Sequence, residues 1–257
     1  MFVLKFGGAA VATVERIQKI ADIIIQHYRK NHEVVVVVSA MGNTTNELID
    51  LAKQIDQNPS SRELDMLISV GERISMSLLS MALNAKGVSA VSFTGSQSGI
   101  ITTIDHTNAK IIDLHLARIH EAIAKKQVVI VAGFQGVSCQ KEITTLGRGG
   151  SDTTAVALGI GLNAEKVIFY KDVEGFFDQD PKHCPDAVFY PKLTYEDALK
   201  IVKKGAKILH ERALILAEKN LMPLEICSFL DCNKKKSTKI IKDIPKKNIK
   251  PVYEITM

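Results

Sequence analysis

Three glycine-rich stretches hold the residues of this chain best suited to chemistry: KFGGAA at 5–10, SAMGNTT at 39–45 and LGRGGSD at 146–152. Each sets glycines beside a cation or hydroxyls. Glycine lets backbone N–H groups approach an anion with no Cβ in the way, and a helix starting after such a turn adds partial positive charge at its N-terminus. Lys5, Arg148, Lys171 and Lys207 supply candidate full charges. The chemistry served is the holding of phosphate or carboxylate groups, although any one glycine pair alone reads first as a simple turn.

Missing fingerprints narrow the field. No GxxxxGK[ST] occurs, no GxGxxG follows the first strand-like run, and no GxSxG is present. The usual P-loop, dinucleotide-binding and serine-hydrolase readings therefore fall away. Gly159-Ile160-Gly161 lies late in a helical stretch and reads as packing. Cys139, Cys184, Cys227 and Cys232 form no CxxC pair and no metal-ligand spacing with histidine, so they read as reduced structural thiols.

The elements that must position these residues alternate between short β-rich runs and longer segments of helical period, as in an α/β protein with a mainly parallel sheet. The strand candidates are 2–6, 34–39, 90–93, 128–132, 167–170 and 224–228. VVVVVS and VVIVAG are continuously apolar, as befits strands covered on both faces. Thr13 is placed to cap a helix whose apolar face holds Ile17, Ile20, Ala21, Ile24 and Tyr28. Residues 63–84 read as one long helix with core-filling methionines, 134–147 as a hairpin or flap standing off the sheet, and a further helix begins near Thr153. His106, His115, His120 and His210 read as packing or surface residues.

The chain's 257 residues, 46% hydrophobic and 24% charged, suffice for a sizeable core. No apolar run looks long enough to cross a bilayer and no signal peptide is evident, so the expectation is a cytoplasmic protein. The net charge of +5 owes much to NKKKSTKIIKDIPKKNIK, with eight lysines and one aspartate. Without interleaved arginines or aromatics this run reads as a solvated, partly disordered tail, not a nucleic-acid footprint.

Taken in order, KFGGAAVA, VVVVVSAMGNTTNEL, DMLISVGERIS, SFTGSQSGIITT, VVIVAGFQGV and TTLGRGGSDTTAVALG closely resemble the catalytic domain of aspartokinases, in the amino-acid kinase superfamily. The likeness runs from about residue 2 to residue 229. It implies a three-layer α/β/α sandwich and a division into a catalytic domain, 1–233, and a lysine-rich C-terminal segment, 234–257. It also implies transfer of the γ-phosphoryl group of Mg-ATP to the side-chain carboxylate of L-aspartate, giving 4-phospho-L-aspartate on the way to lysine, threonine and methionine, in a homodimer with no nucleic-acid or membrane partner.

Position by position, the resemblance implies that Lys5 contacts the transferring phosphoryl group and that Gly7 and Gly8 supply backbone donors. Ser39 and Thr45 flank the substrate, Glu72 receives its ammonium group and Arg148 holds a carboxylate. Ser151 and Asp152 organise the phosphate side, with Lys5, Arg148 and Asp152 as the catalytic set. Asp172, Phe177, Lys182 and Lys207 resemble nucleotide contacts, and no protein-held metal site is implied. A carboxylate nucleophile is ionised at neutral pH, so no general base is needed. Alignment and relief of anion repulsion are what the reaction asks for.

Departures from the family pattern bear on activity. The first loop usually reads GGTS, where this chain has Ala9 and Ala10. Lys171 stands where Ser or Thr is usual, and Lys182 where Arg is usual, which loses the planar fork of donors. Aspartokinases also usually continue into paired ACT domains near the position of Met257; with Met257 as the natural end, feedback through such domains would be absent. These departures keep two alternatives open: a kinase for another carboxylate-bearing amino acid, and a non-catalytic regulatory homologue.

Overall fold

A computed structural model describes residues 1–30, 33–179, 184, 186–230, 236–242 and 251–254. The central strands arise where the apolar runs predict them: β1 (Phe2–Phe6), β2 (Val34–Val38), β3 (Ala90–Phe93), β6 (Val128–Ala132), β9 (Lys166–Lys171) and β13 (Leu224–Ser228). Around them the chain forms α1 (Val14–Arg29), α2 (Thr44–Ile55), α3 (Ser61–Ile68), α4 (Val70–Ala85), β4 (Ile100–Thr102), β5 (Ile111–Leu114) and α5 (Ala117–Ala124). It continues through β7 (Gln135–Ser138), β8 (Ile143–Thr145), α6 (Gly150–Gly161), β10 (Phe176–Phe177), β11 (Phe189–Tyr190), β12 (Lys192–Leu193), α7 (Tyr195–Lys203), α8 (Glu211–Lys219) and β14 (Ser237–Ile240). The main sheet has the order β12-β14-β13-β9-β1-β2-β6-β3, and its one antiparallel pair is β13 with β14.

Alternation along the strands divides the core into two layers. Val3, Val35, Val37, Val129 and Phe169 pack with apolar residues of α5, α6 and α8. Leu4, Phe6, Val36, Ile130 and Ile168 pack with Ile17, Ile20 and Ile24 of α1 and with Met76, Leu79 and Leu83 of α4. The fold is the three-layer α/β/α sandwich. Every residue of β1, β2 and β6 is buried, which is why those strands read as unbroken apolar runs. Thr13 caps α1, its Oγ1 accepting from the Arg16 N–H at 3.3 Å.

The structure departs from the sequence reading in four places. The long helix over 63–84 is two, broken at Ser69, whose carbonyl accepts from Gln135 Nε2 at 2.8 Å and whose hydroxyl donates to the Met66 carbonyl at 3.0 Å. Side-chain partners entering a helical ladder break it in this way. By length and composition Ser61–Ala85 would pass for a membrane span, yet over half of its apolar window is buried inside the fold. Of the methionines there, Met76 fills core, while Met66 and Met81 are exposed at 38% and 65%.

The hairpin at 134–147 is present, but it belongs to a second, four-stranded sheet, β5-β4-β7-β8, in place of a free flap. The lysine-rich tail supplies β14, because Thr238 and Ile240 point inward and are fully buried while Lys239 points out. Thr238 Oγ1 accepts from the Phe176 N–H and donates to the Tyr190 carbonyl, which stitches the β10–β11 hairpin to the sheet. Last, α6 starts at Gly150, three residues before the expected Thr153. Cys139 is exposed and Cys184 and Cys227 are half-buried; Cys232 lies outside the described residues.

One buried carboxylate joins the second sheet to the helical layer. Asp65 on α3 is inaccessible and accepts from the Thr107 N–H at 3.0 Å, the Thr145 N–H at 3.0 Å and Thr145 Oγ1 at 2.5 Å, with His106 Nδ1 2.8 Å away. Asp65→Ala would strand several buried donors and should cost roughly 3 kcal/mol. Urea unfolding checks this, and a loss below about 1 kcal/mol would remove Asp65 as the joint between the layers.

Candidate active site

The three glycine-rich stretches meet where parallel register brings the strand ends level: Phe6 opposite Val38, and Val38 opposite Ala132. The loops after β1 and β2 touch through backbone alone. The Gly42 N–H donates to the Gly8 carbonyl at 3.1 Å, and a Cβ on Gly8 would sit 3.0 Å from the Ala40 carbonyl oxygen. Beyond β6, a Cβ on Gly133 would lie 2.8 Å from the Cβ of Ser151 in α6. Glycine is the residue that permits both approaches.

The turn into α6 is made by Gly149 in the left-handed region, φ 73°, with the His210 ring filling the space a side chain would need. The helix therefore begins inside GRGGSD, and Ser151 and Asp152 occupy its first turn, 8% and 6% exposed. An acidic side chain there suits the positive end of the helix dipole. Asp152 also has two cationic neighbours: Lys5 Nζ at 2.6 Å and Lys171 Nζ at 3.4 Å. Burial pushes its pKa up, but Lys171 and Lys5 outweigh burial and hold it down to about 2. Lys171 itself is lowered, burial being the main cause and the charge of Lys5 adding to it, against the pull of Asp152. Lys5 is 4% exposed on β1, and Gly7 lies over its amine, an added Cβ falling 3.5 Å from Nζ.

Glu72, in the first turn of α4, stands in the opposite condition. It is 3% exposed; its Oε1 accepts from the Ala40 N–H at 3.0 Å, while Oε2 is buried with no hydrogen-bond partner. Burial raises its pKa to about 7 in spite of the Ala40 N–H and the nearby charge of Lys5. The site thus holds one carboxylate paired with two lysines, its Oδ1 within ion-pair distance of Lys5 though without a well-aligned hydrogen bond, and one carboxylate whose buried Oε2 has neither an ion-pair nor a hydrogen-bond partner among the described residues.

The other sequence candidates fall around this pair. Ser39 is half-buried at the end of β2, its carbonyl accepting from Ser75 Oγ at 2.7 Å on α4. Thr45 is half-buried in the first turn of α2, whose Thr44 methyl lies over Gly71. Arg148 is exposed at the tip of the glycine turn and makes no ion pair among the described residues. Asp172 is exposed just past β9, and Phe177 packs edge-on against Phe189 with ring centroids 5.3 Å apart. Lys207 is exposed ahead of α8 and is not among the ion-pair partners of Asp152, which are Lys5 and Lys171 among the described residues. Lys182 lies outside the described residues. Ala9 is exposed and Ala10 fully buried, so of the two departures in the first loop only Ala9 faces solvent.

Sequence reasoning placed Lys171 among the candidate cations but missed its pairing with Asp152, 19 positions earlier in the chain. It also missed His210 behind Gly149 and the joint at Asp65. No spacing rule links such distant positions; register alone brings them together.

The chain is similar to known proteins along most of its length. The model of the amino acid kinase family matches residues 1–228. An aspartokinase of Geobacillus stearothermophilus is 49% identical over 231 residues, 90% of this chain and 57% of that protein. A crystal structure of aspartate kinase from Synechocystis superposes with a TM-score of 0.85 at 40% identity, over 97% of this chain and 40% of that one. Aspartokinase III of E. coli, solved in complex with aspartate and ADP, superposes with a TM-score of 0.83 at 25% identity, over 95% of this chain and 65% of that one. The chain spans between two fifths and two thirds of the lengths of these three relatives. With the family model matching nearly the whole sequence on a sandwich of the same architecture, this chain belongs to the amino acid kinase family.

Proposed function

We propose that the chain phosphorylates the side-chain carboxylate of L-aspartate from Mg-ATP, giving 4-phospho-L-aspartate and ADP. The observation that carries the reading is the juxtaposition of a buried, carboxylate-held lysine, Lys5, with the open acceptor of Glu72 at the start of α4. The names of the similar proteins support the substrate. A carboxylate oxygen of aspartate attacks the γ-phosphorus, the bond from that phosphorus to the β–γ bridging oxygen breaks, and ADP leaves with the electron pair. No proton moves at the nucleophile, which matches a site built of cations and backbone donors.

In this reading Lys5 and the first turn of α6 face the transferring group, with Gly7 and Gly8 leaving room for backbone donors. Glu72 takes the substrate ammonium, Arg148 swings onto a substrate carboxylate, and Ser39, Thr45 and Ser151 line the acceptor side. Asp172, Phe177, Lys182 and Lys207 serve the nucleotide. In this reading Mg²⁺ arrives as part of the nucleotide, as it commonly does. A cytoplasmic homodimer goes with this reading; Val70, Ile74 and Met81, exposed on one face of α4, offer apolar surface for the contact. Sedimentation should give twice the mass of one chain, and a single-chain mass at micromolar concentration would remove the dimer from the proposal.

Trapping the acyl phosphate as a hydroxamate tests the reaction. Turnover is expected with L-aspartate and not with L-glutamate, and Arg148→Ala should lose roughly 100-fold or more in kcat/KM, the scale of one preorganised electrostatic contact. Absence of turnover from folded protein would reject the proposal. Preference for glutamate would reject its substrate.

Glu72 adds a pH signature. With its pKa near 7, the free carboxyl is partly protonated at neutral pH, and an arriving ammonium group lowers that pKa. Binding of aspartate should therefore release about half a proton near pH 7 and almost none at pH 9, where Glu72 is already ionised. Calorimetry in buffers of different ionisation enthalpy reads the release, and Glu72→Gln should abolish it. Equal release from Glu72→Gln would assign the proton elsewhere.

A further inference from the structure

The glycine turn that carries Arg148 is held from behind by a group on α8. Arg212, in the first turn of α8, donates through Nη1 to the carbonyl of Leu146, the residue just before Gly147-Arg148-Gly149. Its Nη2 donates to the Ala109 carbonyl at 3.0 Å, and Nε and Nη2 grip both carboxylate oxygens of Glu254 at 2.8 and 3.0 Å. Glu254 is fixed in turn: its Oε2 also accepts from the Ile111 N–H at 2.9 Å, and its own N–H donates to the Ile111 carbonyl at 3.1 Å. Two residues earlier, Val252 exchanges a pair of hydrogen bonds with the Asn220 side chain at the far end of α8, at 2.8 Å each. The side chains of Arg212 and Glu254 are 19% and 11% exposed, so this is a fork-to-fork pair largely removed from water.

The geometry points to Arg212 and Glu254 as positioning residues for the Gly147–Gly150 turn: residues 251–254 strap both ends of α8, and through Arg212 they set where Arg148 stands. The argument is one of constraint. Gly147 and Gly149 both have positive φ, 72° and 73°, so the turn's own backbone gives Arg148 little preference for one placement. Three contacts supply it: His210 against Gly149, Arg212 on the Leu146 carbonyl, and the Phe134 carbonyl accepting from the Leu146 N–H at 2.8 Å. The first two come from the start of α8. Without the Glu254 carboxylate, Arg212 keeps its charge in a half-buried place with only carbonyls opposite, and a long cation so placed turns toward water. The Leu146 carbonyl then loses its donor and the turn its anchor. The inference rests on the proposed role of Arg148 in holding a substrate carboxylate, and a misplacement of about 1 Å at such a group is enough to slow a reaction tenfold or more.

The test compares the unaltered chain with Glu254→Gln, Glu254→Asp and Arg212→Lys, and with Glu121→Gln as a control that removes an exposed charge pair from α5. Amide hydrogen exchange over residues 144–152 and the KM values for aspartate and ATP are measured on variants whose far-UV spectra match the parent. Expected for Glu254→Gln are exchange in that segment faster by about tenfold, KM for aspartate raised by about tenfold, and KM for ATP within about twofold, with Glu254→Asp recovering much of the loss. Unchanged exchange in folded Glu254→Gln or Arg212→Lys overturns the inference. So does a parallel rise of both KM values with only a lowered Tm, which is what a purely structural strap would give. Should the parent chain not turn over aspartate, the proposed reaction fails on its own account and the exchange data alone decide the strap: faster exchange upholds it, unchanged exchange removes it.

Discussion

The placement of Asp152 is the constraint on which the rest of the site depends. A buried carboxylate is costly to ionise, and here Lys171, Lys5 and the N-terminus of α6 together make the ionised form the stable one. Each needs its own element of the fold: Lys5 the end of β1, Lys171 the end of β9, and the helix dipole the left-handed turn at Gly149. The parallel pairing of β1 with β9 brings the two lysines to the same edge. The linkage has a definite sign. Because Asp152 is depressed to about 2 from an ordinary 3.8, its contribution to stability is present above about pH 4 and is lost as the pH falls toward 2.

That constraint explains why α6 is buried on every side. To present its first turn to the strand ends, the helix must run through the layer between the sheet and α8, and eleven of its twelve residues, Gly150 to Ile160, are buried there. Gly159 lets it approach β9, since a Cβ there would meet the Val167 side chain at 2.5 Å. A helix so enclosed has no polar face and hence no helical period to read. Its start was therefore misjudged from sequence, while its existence was plain from composition.

Legibility follows the same physics elsewhere. The continuous valine runs of β2 and β6 and the Thr13 cap of α1 are local signals, and the structure follows them closely. The break at Ser69 is set by a side chain 66 positions away, Gln135, so nothing local announces it. In β14 a two-residue alternation of buried Thr238 and Ile240 was masked by the lysines around it, a strand written inside a charge run. For the site, glycine and charge types pointed to anion binding, and ordered motifs pointed to a family. Which cation pairs with which carboxylate is a property of register, which no local pattern carries.

Asp152 and Glu72 show how one low-dielectric site treats two carboxylates differently. Both are almost fully buried, and burial alone would neutralise both. Asp152 meets two lysines and stays ionised far below neutrality. Glu72 meets one backbone N–H and a more distant lysine, so it sits near pH 7 with a free acceptor. The second arrangement is unfavourable for the protein alone: a raised carboxyl pKa contributes stability below its ordinary value of 4.5 that is lost as the pH rises through about 7. A cation placed at Oε2 would reverse that loss by stabilising the ionised form. Lys5 is already committed to Asp152, so in the proposed reaction the substrate ammonium is the cation that would meet Oε2.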